Sequence, residues 1–411
     1  MNWLTEEQII KFMAHYNYDI RKSHNARWID QKCTPDVLCI IADCILEFSN
    51  SSSEEWFSSL DIWHNEYTVN NVESIFKKPN PDETKARNEY DKFFQQPMEL
   101  FANAGILWKK KRGNKNFYKV WNRQLLEYIS IREMNALKFL NLYNEKVLRD
   151  SGVYGYFENF FNKPNSDTFN QMKHEFGKLT VFNTPINTEV ECNRIFTKVL
   201  NPMSFIRNTY GAERGYISKG KITKDMLMYN RLNFRDIYAD KPKEMTRKEY
   251  LATLEFKPNE KLIAYQSNKA KKLLRAFNNA FRNGLSEISD KFAEGLATHM
   301  HHIFPVNQFE ELSSYVENIV ALTPGQHYSE AHPNGNTQII DKGFQQICLL
   351  AKANHIERNI KYGKEVIYSF DDFIYVLTIG LDNNKYTEID DMDFKEVVRQ
   401  INIDYVDIKN I

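Results

Sequence analysis

Along the first quarter of the chain the apolar residues recur at helical spacing. Behind Thr34-Pro35-Asp36, which offers a cap residue, a proline for the first helical position and an acid for the first turn, Val37, Leu38, Ile41, Cys44, Ile45 and Phe48 fall on one face. The pattern predicts an amphipathic helix that stops in the polar stretch Ser49–Glu54. Two more helices are expected over Asp61–Phe76 and Lys85–Ala104, the second closed by Gly105 at its C-terminal cap. There the period changes. Ile106–Lys111 and Asn116–Trp121 are β-rich runs joined by Arg112-Gly113-Asn114-Lys115, which predicts a hairpin with a tight turn. Three helices followed by a basic hairpin are the element order of a winged helix.

The middle of the chain is less regular. Helices are expected over Gln124–Asp150 and Asn187–Leu200, and Tyr210–Lys224 reads as a glycine-punctuated basic loop or strand region. Pro258-Asn259 suggests a linker, followed by a long amphipathic helix over Lys261–Leu296 with Leu262, Leu273, Leu274, Phe277, Phe281, Leu285 and Phe292 on its apolar face. The 411 residues, 42% hydrophobic and 26% charged, describe folded protein with more than one core and exclude disorder and collagen-like repeats. The expected fold class is α+β and multidomain: a winged-helix-like domain over 1–130, a helical and basic region over 131–258, and a third domain over 259–411. No stretch approaches the roughly 18–20 apolar residues of a membrane helix, and the N-terminal MNWLTEEQIIKFMAHYNYD carries acids where a secretory signal has an apolar core, so a cytoplasmic protein is expected. Cys33, Cys39, Cys44, Cys192 and Cys348 are odd in number and form no CxxC pair, so they read as buried thiols.

Charge matters by place, not by sum. The 54 Lys and Arg balance 54 Asp and Glu. Yet Lys109, Lys110, Lys111, Arg112, Lys115, Lys119 and Arg123 meet no acid between Leu100 and Leu126, whereas Glu365–Asp407 is acidic. The hairpin's cations either lie along DNA phosphates, with a preceding helix in the major groove, or simply face water. A second basic stretch includes Arg194, Lys198, Arg207, Arg214, Lys219, Lys221 and Lys224. It runs into NRLNFRD at Asn230–Asp236, where Arg231 and Arg235 alternate with Asn and Phe, residue types that read base edges. A salt-bridged surface helix is the stronger account of any single one of these residues, and the DNA-facing reading is kept for the region as a whole.

The chemistry concentrates between Thr298 and Pro333, which holds five of the ten histidines: His299, His301, His302, His327 and His332. Imidazoles gathered so densely bind metal or move protons. His301-His302-Ile303-Phe304-Pro305 is short and β-biased, Asn318–Leu322 reads as a strand, and Thr323-Pro324 opens a helix that carries His327 and His332. This arrangement resembles the ββα-metal motif of HNH nucleases: a doublet ending in histidine, an apolar residue and a proline, then an asparagine opening the second strand and a histidine nine residues later. The version with His301-His302 and the paired final histidines is similar to colicin-type nuclease domains.

That resemblance implies His302 as the general base, His301 and His327 as metal ligands, and Asn318 as the residue that holds the strand ends and orients His302. His332 is the implied third ligand, although it stands five residues after His327 where the family has four; on an α-helix such a pair is turned apart unless the helix has ended by Ala331. His299 is expected to lie outside the ligand set. One divalent ion per site is implied, Mg²⁺ with Mn, Co, Ni or Zn as alternatives.

A phosphate-gripping motif does not read sequence, and some 260 residues precede it. The layout therefore resembles a type II restriction endonuclease, and ARWIDQKCTPDVLCIIADCI at Ala26–Ile45 is similar to segments of such enzymes. Trp28, Asp30, Lys32 and Asp36 of that segment read as core and helix capping. The expected DNA-binding residues are Lys109, Lys110, Lys111, Arg112, Lys115, Arg231 and Arg235. The expected partners are double-stranded DNA, a second copy of the chain as a homodimer matching a palindromic site, and a cognate DNA methyltransferase acting on the same site. A non-specific, toxin or homing nuclease, or a DNA-binding regulator with an inactive motif, are the alternatives.

Overall fold

A computed structural model describes residues 4–52, 55–76, 78, 80–82, 91–229, 242, 244–246, 249, 260–332, 335 and 339–409. The protein is α+β and mostly helical, with three two-stranded antiparallel sheets among the described residues. Residues 4–256 and 257–411 form two compact units.

The first unit is built around a helix buried on all sides. This helix, Pro35–Ser51, starts as its sequence predicts, with Thr34 at the cap and Pro35 at the first position. Burial is not confined to one face: every residue from Cys33 to Leu46 is buried, Cys39, Ile40 and Ala42 included, because helices Asp91–Asn103, Arg123–Ile131 and Glu133–Asp150 pack around it. The buried acids are satisfied, Asp43 by the Tyr67 hydroxyl at 2.7 Å and Asp36 by the Tyr229 amide at 2.8 Å. The expected helix over 61–76 is two, Ser59–Trp63 and Glu66–Phe76, because a Ser58–Asp61 capping box opens the first and the Asn65 side chain caps the second. Helix Asp91–Asn103 ends ahead of Gly105, which takes φ +76°.

Strands β1 (Leu107–Arg112) and β2 (Lys115–Val120) then form the hairpin. Gly113 takes φ +59° at the first loop position, the side of the backbone map that a II′ turn needs. Phe57 adds an isolated antiparallel bridge to Tyr118 at the edge of β2.

The expected helix over 124–150 breaks at Arg132, which is extended at φ −156° and ψ 159°. Neither Gly nor Pro marks the break. Instead Asn135 donates to Tyr128 O at 3.0 Å and accepts from Arg132 Nε at 2.9 Å, fastening the corner from inside. The next expected helix runs longer, Glu189–Ile206, through Pro202. Tyr210–Glu213 and Tyr216–Lys221 form the second hairpin, β3–β4, where a basic loop or strand region was expected. All five cysteines are buried thiols.

In the second unit the long helix, Glu260–Phe281, stops fifteen residues before the expected Leu296. Asn283 and Gly284 both take positive φ, and the Asn278 side chain donates to Leu285 O at 3.0 Å, so the chain turns away and leaves Leu285 exposed instead of on an apolar face. Strands β5 (His299–His302) and β6 (Ile319–Leu322) pair in register, His299 opposite Leu322 and His302 opposite Ile319. Helices Lys342–Tyr362, Phe370–Gly380 and Phe394–Lys409 complete the unit. Within the acidic C-terminal region, Phe370, Phe373 and Leu377 are core. Gly380 leaves no room for a Cβ, and the ring of Phe304, just beyond β5, occupies that space.

A buried charge group braces β6 from behind. The Glu287 carboxylate accepts from Ala321 N at 3.1 Å and pairs with Lys352 at 2.7 Å and Arg282 at 3.3 Å, and Glu287 N donates back to Ala321 O at 2.9 Å. Both Glu287 and Lys352 have fully buried side chains, a position that charges hold only when paired.

Candidate functional site

The β5–β6 hairpin and the helix that follows bring three histidines to one point. The ring of His301 on β5 lies 5.2 Å from His327 and 4.9 Å from His332, and the last two are 4.9 Å apart, centroid to centroid. One ligand nitrogen from each lies within 4.8 Å of the others, so the group could hold a metal ion. A tetrahedral ion with Zn–N bonds of about 2.0–2.1 Å spaces its nitrogens by roughly 3.4 Å, within reach of small side-chain rotations.

The geometry around the nitrogens fits a ligand role. His301 Nε2 and His327 Nδ1 are buried and have no hydrogen-bond partner, a costly state that a bound cation relieves. His332 Nδ1 faces Ile339 O at 2.7 Å. A carbonyl only accepts, so the proton sits on Nδ1 and Nε2 carries the lone pair. Burial, followed by the neighbouring histidines, holds His301 well below the ordinary imidazole range. Burial and the charges of His299 and His332 lower His327 to about 4. Both are therefore neutral at pH 7, as ligands must be.

The spacing of His327 and His332 is resolved by the helix type. Thr323 opens the helix with a reciprocal cap: its hydroxyl accepts from Gln326 N at 3.2 Å, and Gln326 Oε1 accepts from Thr323 N at 3.1 Å. Gln326 is fully buried, donates to Ile288 O at 3.0 Å and accepts from Ser286 Oγ at 2.6 Å. From Gln326 to Ala331 the turns are π, with hydrogen bonds that close five residues on. On an α-helix positions i and i+5 stand about 140° apart; the wider π turn returns them to nearly the same side, and the helix ends just before His332.

His302 stands next to this group and points elsewhere. Alternation along β5 sends it to the opposite face from His301, where Nε2 meets Ser313 O at 3.1 Å. Nε2 is thus the protonated nitrogen and Nδ1 the basic one. Burial, and secondarily the Lys271 charge, lowers His302 to about 4 against the opposing pull of Ser313 O. Asn318 is fully buried between the strand ends: it accepts from Phe304 N at 2.8 Å and donates to Phe304 O at 3.0 Å and Leu312 O at 3.2 Å. These bonds close the loop that carries Ser313. His299 stays outside the ligand group, its ring stacked on His327 at 4.6 Å.

Sequence reasoning missed Lys271 and Arg275, which stand one turn apart on the long helix packed against β5 and β6. Arg275 donates to Thr298 O at 3.4 Å, at the start of β5. Lys271 is half-buried, its charge bears on His301, His302 and His327, and among the described residues no carboxylate pairs with it. The only signal in the sequence was their i, i+4 spacing, which any solvated helix shares.

The hairpin cations differ in what holds them. Lys109 is drawn to the buried Glu99 at 2.7 Å, while Lys111, Arg112 and Lys115 are exposed and Lys110 lies over the Trp56 ring at 3.4 Å. Of the second basic stretch, Arg207 is held by Glu145 at 2.8 Å and Lys224 by Glu133 at 3.5 Å. Arg231 and Arg235 lie outside the described residues. Among the described residues no helix is long and apolar enough to cross a membrane. Comparison with protein-family models, with curated proteins and with solved structures gives no match for this chain.

Proposed function

We propose that the chain is an HNH-type endonuclease that hydrolyses double-stranded DNA at a specific sequence, in the manner of a type II restriction enzyme. The observation that carries this reading is the triangle of His301, His327 and His332 with His302 beside it on the same strand, its proton committed to Ser313 O. Three neutral imidazoles suit Mn, Co, Ni or Zn as donors, while abundance favours Mg. An ion held there supplies Lewis-acid stabilisation of the phosphate and the leaving oxygen.

The remaining work belongs to the chain's own residues. His302 takes a proton from the attacking water on Nδ1, the nitrogen that the Ser313 contact leaves unprotonated. Asn318 holds the end of β5 and the Ser313 loop in place. Lys271 offers a positive charge to the phosphate. Specificity is assigned to residues 4–256, where six described helices precede the basic hairpin, edged by Phe57, which would serve as the wing of a winged-helix-like reader. A palindromic target would be met by a homodimer, and a methyltransferase acting on the same site would protect host DNA.

The test is incubation with phage DNA and Mg²⁺, Mn²⁺, Co²⁺, Ni²⁺ or Zn²⁺ in turn, followed by electrophoresis and end sequencing. Discrete bands sharing one end sequence are expected; a smear would replace specificity with non-specific cleavage, and intact DNA with every ion would remove the nuclease. His302→Ala should lower cleavage by about 10²–10⁴-fold and leave DNA binding in place. Retained cleavage would exclude His302 as the base.

A further inference from the structure

The two faces of the β1–β2 hairpin are unlike. Leu107, Lys109 and Lys111, opposite Val120, Tyr118 and Asn116, form the inner face, where Lys109 and Tyr118 both reach the Glu99 carboxylate. The outer face pairs Trp108 with Lys119, Lys110 with Phe117 and Arg112 with Lys115. Trp121 continues that face beyond β2 and stacks on Trp108, with centroids 4.0 Å apart and planes 16° from parallel.

These indoles are 45% and 51% exposed, whereas Trp28 and Trp63 are buried. Among the described residues no further ring or cation covers either one. Lys110 lies over Trp56 at 3.4 Å, Arg112 leans to Phe117 at 5.8 Å, and Lys119 pairs with the exposed Glu55 at 2.6 Å. A cross-strand aromatic pair braces a hairpin. Bracing needs only the shared faces of the rings, however, and leaves unexplained a half-exposed indole pair set within Lys110, Arg112, Lys115 and Lys119 on a segment without acids. Flat π-faces ringed by cations match a polyanion that also offers flat rings, which is nucleic acid.

We propose that the Trp108–Trp121 pair is a stacking platform for an unstacked base of DNA, with the surrounding cations on the flanking phosphates. Its partner rests on the DNA reading above, and its mode goes beyond it, because a hairpin that only follows phosphates has no use for exposed indoles. Base stacking on an aromatic side chain tolerates any sequence, so the platform contributes affinity and a local opening of the DNA, not base identity.

The test titrates the full chain with a single-stranded oligonucleotide and its duplex, each carrying 2-aminopurine, following anisotropy, 2-aminopurine emission and tryptophan emission. Both emissions should be quenched on binding. Trp108→Ala with Trp121→Ala should remove the quenching and weaken binding about tenfold, with an unchanged dependence on salt, since no phosphate contact is lost. Trp108→Phe with Trp121→Phe, which keeps two rings and the hairpin, should retain most of the affinity. If the wild-type chain binds DNA with no change in either emission and the alanine pair binds as tightly, the indoles are a brace; the stacking proposal then falls and the DNA reading stands. If neither oligonucleotide binds while phosphatidylserine vesicles do, both fall.

Discussion

Asn318→Ala tests the framework of the candidate site most directly. The side chain is fully buried and makes three hydrogen bonds, all to backbone: one accepted from Phe304 N at 2.8 Å and two donated, to Phe304 O at 3.0 Å and Leu312 O at 3.2 Å. Alanine leaves the Phe304 amide without a partner and two carbonyls short of one donor each. An unsatisfied buried group costs about 1–3 kcal/mol, and the carbonyls, which keep a second lone pair, fall at the low end of that range. The sum is roughly 3–5 kcal/mol, a large share of the 5–15 kcal/mol that holds a typical domain. Asn318→Asp has the same shape and keeps the acceptor for Phe304 N, but turns an oxygen towards two carbonyl oxygens, so it should destabilise as well. Urea unfolding followed by circular dichroism gives both values. A loss below about 1 kcal/mol for the alanine variant would show that the loop does not depend on Asn318 and would refute the reasoning.

Three further outcomes follow from the structure. His332→Ala should weaken Ni²⁺ or Zn²⁺ binding by at least about 100-fold in calorimetry, more than loss of a residue that only supports a ligand, while His299→Ala should change it little; equal affinity in the His332 variant would take the π-turn histidine out of the ligand set. Replacing Lys110, Lys111, Arg112 and Lys115 with Ala should lower the slope of log K against log salt for duplex DNA by up to about 3.6, whereas Lys109→Ala, whose ammonium is held by Glu99, should leave the slope unchanged; an unaltered slope in the fourfold variant would remove the hairpin from the DNA interface. Glu317 is buried and its carboxyl is raised to about 7, chiefly by burial and further by Asp372, against the opposing Ser369 amide. Its folded pKa lies above its unfolded one, so stability is highest below about pH 4.5 as far as this group decides it, and is lost as pH rises to about 7. Glu317→Gln, which can still accept from Ser369 N, should flatten that loss by roughly 2–3 kcal/mol in urea titrations at pH 5 and pH 8, and an unchanged pH dependence would count against it.

Much of the local structure was legible because it rests on local signals. Thr34-Pro35-Asp36 starts a helix through the preset φ of Pro35, with Thr34 extended at the cap position and making no side-chain capping bond; Gly113-Asn114 turns a hairpin through backbone freedom, and five histidines in one window mark a candidate site by density alone. The breaks at Arg132 and Phe281 were not legible. The first is enforced by Asn135 from within the packed corner, and the second depends on Asn283, a residue that takes positive φ only when the surroundings favour it. The exposed Trp108–Trp121 stack was equally hidden, since nothing in the order of residues says which face of a hairpin meets the core.

The sequence by itself determined the helix start at Thr34-Pro35, the basic hairpin, the doublet His301-His302, the asparagine at 318 and the five-residue step from His327 to His332, because each depends on neighbours a few bonds away, whereas helices Tyr154–Asn162 and Ser166–Asn183 were not legible in it. Only the tertiary structure decided what that step means: with Gln326 locked by Ser286 and Ile288, the helix takes π turns and swings His332 round to His301. Only packing decided which charges remain outward, drawing Lys109 to Glu99 and Lys352 to Glu287 while leaving Lys271 beside the histidines. The physical reason is the same in each case. Spacing sets which directions a side chain can take, but burial and the partners that long-range contacts supply set which one has the lower free energy.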